Sequence, residues 1–181
     1  MPREITLPEA KPALEWVNGR VLQKMSPKRR HAVAQGRFFA ALDEWAHDGQ
    51  KGIVGTEWRF RVQPPGEERR PLVPDVAYLS YARLSYQEQQ VTDEPKIAPD
   101  ALVEVLSPGD RRADVEEKIR VYLAAGSSVI FIVDPKLRRV QIRDARGERT
   151  IEENGVLTHD ALAGFRLDVR RLFSMPVPKS E

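Results

Sequence analysis

The stretch Asp100-Ala101-Leu102-Val103-Glu104-Val105-Leu106-Ser107-Pro108 reads as a buried strand. Its apolar run, Ala101 to Leu106, is opened by Pro99-Asp100 and closed by Ser107-Pro108-Gly109, both chain-bending signals. One charge interrupts the run, Glu104. Side chains alternate along a strand, so Glu104 shares a face with Leu102 and Leu106. An unpaired carboxylate on such a face is costly and calls for a cation, a donor cluster or a metal. The helical pattern that follows, Ala113 to Ala125, supplies a candidate. Val115, Ile119, Tyr122 and Leu123 form its apolar stripe and Lys118 lies on the stripe's edge. An anion inside a strand, followed by a cation at the buried edge of the next helix, marks a candidate site.

Working outward, Gly126 closes the helix in the usual C-terminal role. Ser128 to Val133 is a second buried strand, and a strand–helix–strand unit of this kind implies a right-handed crossover with the two strands parallel. Asp134-Pro135-Lys136 turns the chain into a more polar strand, Arg139 to Arg143. Toward the N-terminus, Leu72 to Leu79 is another apolar strand with one acid inside it, Asp75. Pro74 cannot donate to a ladder, so this strand is expected at an edge or irregular at that point. Gly52 to Val62 is β-rich, with Trp58, Phe60 and Val62 opposite a basic face of Arg59 and Arg61, and Glu57 a cross-strand partner for an arginine.

Lys28 to His47 has helical spacing, with Val33, Phe38, Phe39, Leu42 and Trp45 on one face and His31 at its start as a packed or solvated residue. Asn18-Gly19 suits a type I′ turn in a hairpin spanning Ala13 to Met25. Tyr81 to Pro99 reads as a polar surface segment with a short helix, and Asn154-Gly155 as a turn; the stretch from there to Phe173 has no clear assignment. The order β–β–α–β–β–β–α–β–β implies an α/β or α+β fold with a mixed sheet.

A chain of 181 residues, 41% hydrophobic and 31% charged, suits a single soluble domain with a sizeable core. We expect one domain over residues 1–175 and a disordered tail over 176–181. With no cysteine, disulfides, thiolate nucleophiles and cysteine-bound zinc are excluded. No stretch has the length of a membrane span or the apolar core of a signal peptide, so a cytoplasmic protein is expected. The net charge is +2 and the pI about 9.0, compatible with a nucleic-acid partner without requiring one. The basic residues are grouped: Lys28-Arg29-Arg30, Arg69-Arg70, Arg111-Arg112, Arg138-Arg139 and Arg170-Arg171.

Asp75 and Glu104, on neighbouring strands, suit Mg²⁺ or Mn²⁺, hard cations that take oxygen ligands and keep waters for substrate. A nearby ammonium at Lys118 can stabilise charge on a scissile phosphate or position the attacking water. The competing reading is structural: Asp75 caps a turn, Glu104 pairs with an arginine, and Asp114 pairs with Lys118 at i, i+4.

The ordered set Pro74-Asp75, Glu104-Val-Leu-Ser-Pro108, Lys118, Tyr122, Gly126 and Val133-Asp134-Pro135 resembles the Uma-two family of restriction endonucleases. The opening Glu15-Trp-Val-Asn-Gly-Arg20, with Met25-Ser-Pro27 and His31, is similar to that family's N-terminus. The resemblance implies the PD-(D/E)XK superfamily, with a restriction-endonuclease-like fold, a mixed central sheet flanked by helices, divalent-metal dependence and DNA phosphodiester hydrolysis. Asp75 corresponds to the motif's Asp and Glu104 to its second acid, both as metal ligands. The lysine of E-x-K does not match, since position 106 is Leu106, and its role passes to Lys118. A further acid contributed by some members would be Glu15, Glu44 or Glu57. Superfamily analogy also implies a homodimer. The alternative function is a catalytically inactive module on the same fold, binding nucleic acid or a partner protein.

Overall fold

The computed structural model describes residues 3–179. A hairpin, β1 (Leu14–Val17) and β2 (Arg20–Gln23), precedes the long helix α1 (Arg29–Asp48). β3 (Gly52–Thr56), β4 (Phe60–Val62), β5 (Arg70–Leu72) and β6 (Val76–Ser80) follow, then the single-turn helix α2 (Tyr86–Gln89). β7 (Ala101–Val105), α3 (Arg112–Ala124) and β8 (Val129–Asp134) form the expected strand–helix–strand unit, and β7 and β8 are parallel. β9 (Arg139–Asp144) and β10 (Gly147–Glu152) complete a six-stranded mixed sheet in the order β10-β9-β8-β7-β6-β3. β11 (Val156–Leu157) and β12 (Leu167–Asp168) form a small ribbon, flanked by 3₁₀ turns. Beyond Leu172 the described chain has no regular structure up to residue 179, and residues 180–181 of the expected tail lie outside the described residues. No helix among the described residues is long and apolar enough to cross a membrane.

The central strands are buried on both faces, and their period of two divides the core. Ala101, Val103 and Val105 of β7, with Val129, Phe131 and Val133 of β8, face α1 and the C-terminal ribbon. Phe38 anchors this side, its ring 5.3 Å from Phe131 and 6.2 Å from Phe165. Leu102 of β7 and Ile130 and Ile132 of β8 face Ile119, Val121 and Tyr122 of α3. Each fully buried large side chain contributes about 1.5–3 kcal/mol. Glu104 falls on the α3 face, where the alternation otherwise places apolar side chains.

Several expectations are corrected. α1 buries His31, Ala34, Gln35, Phe38, Leu42 and Ala46; Phe39 and Trp45 pack half-buried against the same core, and Val33 is the one expected residue outside it. Gly52 to Val62 is two strands in different sheets, separated by Glu57 at φ 51°; Glu57 is exposed and pairs with no arginine, because Arg59 and Arg61 pair with Glu9, Glu4 and Glu94. Leu72 to Leu79 is also two strands, broken at Val73-Pro74-Asp75. Of the two expectations for Pro74, irregularity holds and the edge does not, since β6 lies between β3 and β7. The strand β10 had no clear signal: its six residues, Gly-Glu-Arg-Thr-Ile-Glu, carry only one large apolar side chain, and it is held by pairing along all of β9.

Candidate active site

Six side chains from five elements line one cleft of about 200 Å³: Glu15, Lys24, His31, Asp75, Glu104 and Lys118. The break between β5 and β6 organises it. At a break in a strand the backbone loses ladder partners, and buried N–H and C=O groups need others. The β6–β7 ladder ends at Val76 opposite Val103, and Asp75 N–H still donates to Val103 C=O at 3.0 Å. Beyond it the Asp75 side chain takes over, its Oδ2 accepting from Val105 N–H at 2.7 Å. Glu15 Oε1 accepts from Val73 N–H at 2.8 Å, and Lys24 Nζ donates to Val73 C=O at 2.6 Å. Gln35 of α1 donates to Asp75 C=O at 3.0 Å.

The charges interlock across this scaffold. Lys118 Nζ donates to Glu104 Oε2 at 2.8 Å and to Glu15 Oε2 at 3.1 Å. Lys24 Nζ donates to Asp75 Oδ1 at 2.8 Å, and His31 Nε2 lies 3.4 Å from Asp75 Oδ2. Burial opposes the Asp75 charge, but His31 and Lys24 outweigh it and hold the carboxyl well below the usual carboxylate range. Burial pushes Glu104 up to about 7 despite its two ammonium neighbours. For Lys118 the balance is reversed: burial disfavours its charge, while Glu104 and Glu15 more than offset that and keep it an ammonium. Three carboxylates, Glu15, Asp75 and Glu104, thus face two ammoniums and the His31 imidazole.

The hairpin delivers Glu15 and Lys24. Asn18, at φ 50°, and Gly19, at φ 72°, adopt the left-handed turn that Asn-Gly favours. Asn18 and Arg20 then hold Asp114 of α3 at 2.8 and 2.6 Å. Asp114 is therefore spent on docking the hairpin and does not pair with Lys118.

Asp75, Glu104 and Lys118 are thus brought together. Of the three further acids, Glu15 is at the site, whereas Glu44 is exposed on α1 and Glu57 is exposed after β3. His31, expected to be a packed or solvated residue, stands against Asp75. Its sequence signal was its place in the first turn of α1, as part of the resemblance of the N-terminal stretch to the family. Lys24 carried no signal beyond its place at the end of the hairpin.

Two features bear on whether a divalent cation suits these residues. Glu104 Oε1 is a buried oxygen without a hydrogen-bond partner. Asp75 and Glu104 are hard oxygen donors, the ligand type that Mg²⁺ and Mn²⁺ take. Among the described residues no three His, Asp or Glu side chains form a ready-made metal cage. The donor set therefore fits an ion that keeps much of its water, not a structural metal.

The fold has a counterpart in the crystal structure of a "putative nuclease belonging to DUF820" from Anabaena variabilis. That structure is 23% identical, with a TM-score of 0.81 over 92% of this chain and 93% of its own. No curated protein shows significant similarity to the chain. The model of the Uma2 family, described as "Putative restriction endonuclease", matches residues 4–170, spanning the hairpin, the strand break and the β7–α3 unit, and the chain belongs to that family.

Proposed function

We propose that this protein is a divalent-metal-dependent endonuclease that hydrolyses DNA phosphodiester bonds in the cleft between the β1–β2 hairpin and the β7–α3 unit. The observation that carries the reading is the convergence of Asp75, Glu104 and Lys118 from separate elements, with one buried Glu104 oxygen left unpaired. Asp75 and Glu104 would hold the ion, which when bound supplies Lewis-acid stabilisation of the phosphate and an activated water. Lys118 acts as an ammonium, donating to a phosphate oxygen as negative charge builds in the transition state. It does not act as a base, because two carboxylates hold its proton. Glu15 orients that ammonium, while Val105 N–H and His31 orient Asp75.

The arginines divide in a way that favours DNA at this face. Arg70, Arg120, Arg138 and Arg143 are each tied to glutamates. Arg30, Arg111, Arg112, Lys136 and Arg139 make no ion pair among the described residues; Arg111 lines the cleft, Arg112 and Arg139 the adjoining groove, and Arg30 and Lys136 a separate groove at the start of α1. Of the basic groups in the sequence, the phosphate track is therefore the set around α1's start and α3's start, not Arg69-Arg70. A homodimer able to cut both strands belongs to the same reading.

The test is Mn²⁺ titration calorimetry on wild type, Asp75→Ala and Glu104→Ala, followed by nicking of supercoiled plasmid. Saturable binding and nicking by wild type, with both lost in the folded variants, is the expected result. Failure of wild type to bind Mn²⁺, alone and with DNA present, would favour a non-catalytic module instead.

A further inference from the structure

Both oxygens of Asp75 already accept a hydrogen bond. Oδ1 is held by Lys24 at 2.8 Å, and Oδ2 by Val105 N–H at 2.7 Å with His31 3.4 Å away. Lys24 is itself enclosed, its side chain only 9% exposed, and its ammonium also donates to Val73 C=O at 2.6 Å. It stands one residue beyond β2, on a hairpin anchored to α3. A divalent ion on Asp75 and Glu104 would compete with Lys24 at Oδ1, the oxygen held by a flexible side chain and not by a backbone N–H.

We propose that Lys24 is an internal counter-cation on Asp75, displaced when a divalent ion binds, and that it thereby sets the protein's affinity for the metal. This rests on the two-carboxylate reading of the site. An ammonium is a compact point charge with three rotatable donors on a flexible stem, suited to such an exchange. Displaced from Oδ1, it keeps Val73 C=O as a partner and needs no unfolding of the hairpin. While it stays, it neutralises a buried carboxylate that would otherwise be costly. Its charge also repels an incoming cation at close range. Lys24 is a positioning residue here: it acts through Asp75.

Lys24→Met removes the charge and keeps the unbranched stem. A purely structural lysine would make the variant less stable and leave its metal affinity unchanged. The displacement model predicts Mn²⁺ binding by calorimetry at least tenfold tighter than wild type, and a larger rise in Tm on saturation. Equal or weaker Mn²⁺ affinity in the folded variant overturns it.

A second measurement uses wild type alone: amine-reactive labelling, with Lys24 followed by peptide mass spectrometry. Labelling of Lys24 should be several-fold faster with Mn²⁺ than without, and an unchanged or slower rate also overturns the proposal. If neither protein binds Mn²⁺, both the proposal and the metal reading fall. If both bind equally, the metal reading stands and the displacement alone falls.

Discussion

Glu104→Gln should make the metal-free protein more stable while removing one of the two carboxylates proposed to hold the ion. Glu104 is 8% exposed and faces Glu15 on β1, Lys24 beyond β2, Asp75 at the β5–β6 break and Lys118 on α3. Its rise from 4.5 to about 7 means that burying this charge opposes folding, with a ceiling of about 3 kcal/mol above pH 7. Glutamine has the same shape, and its carbonyl oxygen can still accept from Lys118. Lys118 in turn keeps Glu15 as a charged partner. The attraction to Lys118 is already contained in that net rise, and the amide N–H₂ must still find a partner in the buried site, so the net gain is set at roughly 1–2 kcal/mol at pH 8.

The sign fixes where the gain appears. An acid whose pKa is higher in the folded state binds more protons folded than unfolded, so wild-type stability falls as pH rises from 4.5 to about 7. The Glu104→Gln variant has no such loss. The two proteins should therefore be nearly equal near the lower end of that window and diverge above it. Urea denaturation in a chelator, across the window and one unit beyond each end, measures this directly. A variant less stable than wild type at pH 8 would refute the reasoning. It would mean that the Glu104–Lys118 pair is net stabilising, since breaking such a buried pair typically costs about 3–5 kcal/mol.

Two further outcomes concern other parts of the molecule. Asp144, which accepts from His159 at 2.9 Å and from Arg146 N–H at 2.8 Å, is held down to about 2, chiefly by the His159 bond. Its stabilisation is present above the ordinary carboxylate pKa and lost as pH falls toward 2, so Asp144→Asn should cost about 1–2 kcal/mol at neutral pH and flatten that acid limb; acid titration followed by circular dichroism checks it. Arg111→Ala with Arg112→Ala should lower the slope of log affinity against log salt by about 2 for a non-cleavable duplex, at roughly 0.9 per lost phosphate contact. An unchanged slope in fluorescence anisotropy would remove these residues from the phosphate track.

How legible the molecule was in its sequence varies with how local each signal is. β7, α3 and β8 were readable because apolar period and breakers agree there, and Gly126 at φ 104° ends α3 as its position suggests. The alternation of β7 called for a cation, a donor cluster or a metal beside Glu104, and Lys118 stands 2.8 Å from it. The contributions of Glu15, Lys24 and His31 were not readable from spacing, because each comes from an element distant in sequence whose docking depends on long-range contacts. Glu15 to Lys118 spans 103 positions, and only the resemblance put Glu15 among the candidates. Asp114 misled in the opposite direction: i, i+4 spacing to Lys118 is a local rule, and Asn18 and Arg20 override it from across the fold.

The strand break links these failures to the chemistry. Read as a continuous strand, Leu72 to Leu79 has a flaw at Pro74; in the structure that flaw is where the site is built. Had β6 continued through Asp75, its ladder would have met Val105 N–H with a backbone carbonyl, and Asp75 would have been one more strand residue. Because the ladder stops at Val76, the freed donor on β7 is satisfied by a carboxylate, which fixes Asp75 against the strand that carries Glu104. The same break frees Val73 N–H and C=O, and their partners are Glu15 and Lys24. Asp75, Glu15 and Lys24, which repair the backbone, are thus also among the residues that line the cleft. Replacing any of them affects stability and chemistry together, so their roles have to be separated by metal binding and pH dependence, not by activity alone.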